Sequence, residues 1–220
     1  GEVHGNAICG KDGNPLTAIS VYGLLTGDRT AATDNVNYTP VTIPVGGDTI
    51  PNITATRDLG VTGTTTVYRT GLVSYSKTPA KILTIKGNVT LIVDDALGTG
   101  DVTMENSKVI IESGGSLDLY VKQTLTLRGT TIINPPCRLV ASPCADPSPA
   151  TAVRILGIST TVLNFVGASV TYGGVNAPGA EFNLQSESQL YGTVVARIIA
   201  MSGAKSGSGI HVDKGFSGTS

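Results

Sequence analysis

Met104-Glu-Asn-Ser-Lys-Val109, Leu127-Arg-Gly-Thr-Thr-Ile132 and Phe165-Val-Gly-Ala-Ser-Val170 are three copies of one short phrase. Each reads apolar, any residue, a small or turn-forming residue, two more residues, apolar. Leu184-Gln-Ser-Glu-Ser-Gln-Leu190 is a looser copy with one extra residue. Met201-Ser-Gly-Ala-Lys with Ile210 makes a longer one. The starts at 104, 127, 165, 184 and 201 give steps of 23, 38, 19 and 17 residues, and the 38 reads as two rungs of 19. A repeat near this length, built from short strands and tight corners, predicts a stacked β-solenoid (β-helix). One rung cannot bury its own inward side chains. Stacked rungs bury a continuous apolar column and pair their backbones from rung to rung. Glycine or asparagine at the corner supplies the positive φ that a sharp bend needs.

The segments between corners fit that reading. Val89, Leu91 and Val93 alternate with polar residues, as do Val102 and Met104, Val109 and Ile111, Leu117, Leu119 and Val121, and Leu125 and Leu127. The alternation resumes at Val153 and Ile155, Leu163 and Phe165, and Phe182 and Leu184. Period two over short runs means strands with one buried face. A β-sandwich also has short strands and many turns, but it gives no reason for one corner phrase to recur. Residues 1–80 read as an irregular N-terminal cap with an extended strap. Tyr38-Thr-Pro-Val-Thr-Ile-Pro-Val45 and Ile50-Pro51 are too rich in proline for a central strand. Residues 81–220 read as the rungs, interrupted by a Pro/Cys loop at 134–150. The two parts form one structural domain.

Composition agrees with an all-β chain. There are 28 glycines among 220 residues, and only 14% of the chain is charged against 40% hydrophobic. A net charge of −1 provides no field for nucleic acid, and without Trp the stacking platforms for bases are lacking. The longest apolar run, Val194 to Met201, contains Arg197 and is far short of a membrane span. The chain opens at Gly1 without Met, which fits removal of a leader or anchor.

Candidate sites are few. Cys137 and Cys144, set among prolines, read as a local disulfide. Cys9 is left over, as a buried thiol or an intersubunit cross-link. Asn37, Asn52 and Asn88 head Asn-x-Thr sequons and are weak glycosylation candidates, Asn88 also being a natural corner residue. Asp94 and Asp95, with Asp101 and Glu105, form the densest acidic spot. Their spacing does not match a calcium loop, so a solvated turn is the better reading. His211 and Asp213 share one strand face and read as an end-cap of the last rung, because no Gly-x-Ser-x-Gly element accompanies them. No catalytic residue, cofactor or metal is expected.

Gly174-Val-Asn-Ala-Pro-Gly-Ala180, Leu190-Tyr-Gly-Thr-Val-Val-Ala196, Ile198-Ile-Ala-Met-Ser-Gly203 and Ile210-His-Val-Asp213 follow one another in the last third. Together they resemble the closing rungs of a C-terminal β-solenoid domain family of unassigned function found in PilX-like pilus-assembly and related bacterial surface proteins. Gly87-Asn-Val-Thr-Leu-Ile-Val93 and Ser116-Leu-Asp-Leu-Tyr-Val121 look like its earlier rungs, so the likeness covers Lys81 to Asp213. The resemblance implies a bacterial cell-surface setting, often behind a prepilin-like apolar helix that this sequence lacks. It carries no chemistry onto particular residues.

The expected function is that of an extracellular structural or adhesive surface protein: a self-associating filament or a pilus-associated subunit. Its partners would be copies of itself, other surface or pilus proteins, or a glycan. The alternative is a carbohydrate-active β-helix enzyme or glycan-binding module, which would gather several carboxylates and bases in one groove or expose a row of tyrosines.

Overall fold

A computed structural model describes residues 39–76, 78–135, 150–158, 161–202 and 208–211, and the backbone of 2–3, 7–9 and 29–31. The chain is an all-β parallel solenoid, and every strand pairing among the described residues is parallel. No helix among them is long and apolar enough to cross a membrane.

In chain order, β1 (Glu2–Val3) is followed by β2 (Ala7–Cys9) and β3 (Arg29–Ala31), which pair with each other in a small separate sheet. Then come β4 (Asp48–Thr49), β5 (Arg57–Leu59), β6 (Thr65–Thr70), β7 (Leu72–Tyr75), β8 (Ile82–Ile85), β9 (Asn88–Val93) and β10 (Asp101–Glu105). The path continues through β11 (Lys108–Ile111), β12 (Ser116–Val121), β13 (Thr124–Arg128), β14 (Ile132–Ile133), β15 (Val153–Gly157) and β16 (Val162–Phe165). Two long bent strands, β17 (Val170–Gln185) and β18 (Gln189–Ser202), and a short β19 (Gly209–His211) complete it.

From β6 to β16 each strand pairs with the one three places later, so each turn of the solenoid has three faces. The first face stacks β6, β9, β12 and β15. The second stacks β7, β10, β13 and β16. The third stacks β5, β8, β11 and β14. Each of β17 and β18 crosses all three faces in one sweep.

The corner phrase locates the columns. Tyr75, Met104, Leu127, Phe165, Leu184 and Met201 lie in register, one above another. All but Met201 are essentially buried, as are the other alternating residues from Val89 to Leu184. Phe165 packs edge-on against Phe182 at a centroid distance of 5.0 Å. The third residue of each phrase takes the left-handed conformation: Asn106 (φ 50), Gly129 (φ 61), Gly167 (φ 78) and Ser186 (φ 62). Just beyond it runs a buried hydroxyl ladder of Ser107, Thr131, Ser169, Ser188 and Ser208. Thr131 Oγ1 donates to Arg128 O at 2.7 Å, and Ser188 Oγ to Gln185 O at 2.8 Å. These two hydroxyls bond corner carbonyls of their own turns, whereas the buried Ser107 Oγ has no hydrogen-bond partner among the described residues.

Three expectations change. The rungs begin well before Lys81, because β4 to β7 belong to the same sheet as the later strands. On β6 the positions paired with core residues Val89, Leu91 and Val93 are Thr66, Tyr68 and Thr70, and Pro51 interrupts the run, so the alternation is thin in the sequence. In the stretch before them, which has no strand over 39–47, Pro44 O and Gly46 O accept from Arg69 at 2.6 and 2.7 Å. The 38-residue step is one rung, since Leu127 pairs directly with Phe165. The excess length is the Pro/Cys loop between β14 and β15. Val109 aligns with Ile133 rather than Ile132, because the corner after Leu127 holds one more residue.

Candidate functional site

Two places on the described surface gather groups with chemical potential. The first is the corner between the first and second faces. Asp94 Oδ2 accepts from Arg69 Nη1 at 2.8 Å. Its Oδ1 accepts from Lys122 Nζ at 2.9 Å and from the Ala96 amide at 3.0 Å. Lys122 also reaches Asp95 Oδ1 at 2.7 Å, and Gln123 Nε2 donates to Asp95 Oδ2 at 3.1 Å. Two carboxylates and two cations from three successive turns thus meet. The Lys122 ammonium holds both carboxyls below the ordinary carboxylate value. The lysine itself is held above its usual value by Asp95 and Asp94. Asp94, Asp95 and Lys122 are thus each driven toward the charged form, away from the near-neutral poise that proton transfer needs. The cluster clamps three rungs and, through Arg69, the strap.

The remaining sequence candidates do not join it. Asp101 Oδ1 accepts from the Thr124 amide at 3.1 Å, and Glu105 lies on β10 toward the next corner. No group of three or more potential metal-ligating side chains occurs among the described residues. Asn52 is exposed; Asn88 is exposed and accepts from Ser116 Oγ at 2.9 Å beside Gly87, whose φ is 78°. Cys9 ends β2. Cys137, Cys144, Asn37 and Asp213 lie outside the described residues. His211 stands on β19, where its ring stacks on Tyr191 at 4.5 Å and Tyr191 stacks on Tyr172 at 4.7 Å. His211 Nε2 lies 2.7 Å from Gln189 Oε1. In this stack the ring faces of Tyr191 are spent on Tyr172 and His211, leaving its edge outward. The stack ties β17, β18 and β19 together.

The second place is the C-terminal end of the solenoid. β19 pairs with β18 only over Gln189–Tyr191, and β1 then pairs with β19, Glu2 on Gly209 and Val3 on Ile210. The third face therefore rises two strands beyond β18. On the other two faces β18 is the last strand: no described strand covers 193–202 on the side away from β17. Val194 and Ala196, in line with core residues Val175 and Ala177, are only partly buried. Ile199 and Ile198 are 45% and 42% exposed. Arg197, at the corner between them, is exposed and donates to Gly179 O at 3.3 Å. The rung is an apolar step whose edge over 193–202 pairs with no described strand beyond it. Sequence reading took the same residues for a strand.

A family model described as a domain of unknown function (DUF7305) matches residues 29–218. No curated protein and no solved structure matches the chain.

Proposed function

The chain belongs to that family of domains of unknown function, and from this premise we propose that it is an extracellular structural or adhesive surface protein, associated with a filament or pilus through the open end of its solenoid. The observation that carries the reading is the edge of β18 over 193–202, which no described strand covers, with Ile198 and Ile199 partly exposed on it. An unpaired strand edge is a template for strand addition, and soluble proteins ordinarily blunt or cover it. The likeness of the closing rungs to PilX-like pilus-assembly proteins supports the same setting. So does the chemistry of the Asp94–Asp95 cluster, which is locked into ion pairs.

Immunogold electron microscopy on intact cells of the source organism tests the reading. Label on surface filaments or the cell envelope is the expected result. Label confined to the cell interior would overturn it.

A further inference from the structure

We propose that the edge of β19 is a strand-receiving seat which, in the assembled state, holds β1 of a second copy, so that copies join end to end by giving one strand and taking one. The inference rests on the surface-protein reading above and names the partner and the seat.

The seat is seen filled. Within one chain β1 runs parallel to β19, with Glu2 on Gly209 and Val3 on Ile210. Ile210 is paired in turn with Leu190 of β18. Val3 therefore takes the next register position in a column that runs back through Thr171 and Ile133. A strand on this seat continues the third face in the direction the solenoid already follows.

The place of β1 in the stack is out of chain order. From β4 to β19 each strand of the large sheet pairs with strands of the turn before or after it in the chain. β1 breaks this order. It precedes β4 and β5 in the sequence and lies at the opposite end of the molecule. On the third face seven strand steps separate it from β5, about 34 Å. An end-to-end stack of copies removes the anomaly. Beyond β19 of one copy come β1 and then β4 and β5 of the next, and stacking order agrees with chain order throughout. Exchange of an identical element replaces each contact by its equal, which makes it a low-cost route to assembly.

The N-terminal end suits a join made by a donated strand. Its outermost strands, β4 and β5, are two and three residues long, and Pro51 lies between them. Short edges and proline make a poor receiving edge. Residues 4–47 link β1 to β4, and a link of that length reaches about 145 Å at full stretch. It is long enough to serve its own seat or that of a neighbour.

The test uses two populations of the full chain, both with Cys9→Ser. One carries Val3→Cys and the other, isotopically labelled, carries Ile210→Cys. Paired strands lie about 4.8 Å apart, within the span of a disulfide. The two are unfolded in urea, refolded together at about 100 µM and briefly oxidised, and the linked peptides are identified by mass spectrometry. A flexible link gives a chain's own strand an effective concentration of about 1 mM, so about one seat in ten should hold the strand of another chain. A bond between positions 3 and 210 of different populations is the expected result, with its yield falling about tenfold at about 10 µM. A chain carrying both substitutions reports on the seat itself. Closure within that chain but never between populations overturns the proposal, and so does the lack of a bond in either arrangement. Both failures sink the exchange alone, because the surface-protein reading is decided separately by the labelling experiment.

Discussion

At position 167 the backbone is left-handed, and a Cβ built on the glycine would sit 2.9 Å from Gly129 N in the rung below. Gly167→Ala should destabilise the protein by about 2 kcal/mol or more in urea unfolding, from the left-handed penalty plus the clash. Ser186 takes the same conformation one rung on, but in an exposed corner. Ser186→Gly should therefore stabilise by about 0.5–1 kcal/mol; a loss of stability would mean that its side chain matters more than its φ. Asp94 gives the pH dependence. Its folded pKa lies below the ordinary value, so its contribution is present above about pH 4 and is lost as pH falls through the lowered folded value. Asp94→Ala should cost about 1–3 kcal/mol at neutral pH and flatten the acid limb of a stability-versus-pH curve. The corner positions were readable in the sequence, because left-handed φ selects Gly and Asn locally. The Asp94 clamp was not: its partners stand 25 and 28 residues away, and only the rung register brings them together.

Among the elements, β17, β18 and β19 carry the Tyr172–Tyr191–His211 stack. Tyr191 touches both neighbours, so Tyr191→Ala removes two ring contacts, each worth about 0.5–1.5 kcal/mol beyond area burial. The expected result is a loss of about 1–3 kcal/mol, with hydrogen exchange accelerated first in β19. The strands from β8 onward were legible because one inward face of aliphatics alternates cleanly with polar residues. Those of 48–75 were not, because Thr66 and Thr70 stand at inward positions, Val67 at an outward one, and Pro51 breaks the run. Their membership in the sheet comes from the neighbours they stack on. The Pro/Cys insertion misled the spacing for a related reason, since a loop adds residues without adding a rung.

On the scale of the whole molecule, stability is a chain of nearest-neighbour contacts between rungs. Leu127 is fully buried with rungs on both sides, and Met201 stands in the same column at the open end. Leu127→Ala should cost about 2–5 kcal/mol, and Met201→Ala distinctly less, as read by denaturant midpoints. Equal costs would mean that the last rung is covered in solution. Hydrogen exchange should be slowest in β12 and β13 and fastest toward 193–202. The partial exposure of Val194, Ala196, Ile198 and Ile199 was invisible to sequence reading, because an edge strand and a central strand share the same alternation.

β1 lies beside β19, which puts Glu2 against Gly209 although almost the whole chain separates them. Any tether joined ahead of the one or after the other would leave from the same rim of the molecule. A domain fastened in this way hangs like a flag from a single pole, with its proline-guarded blunt tip pointing away from the mast.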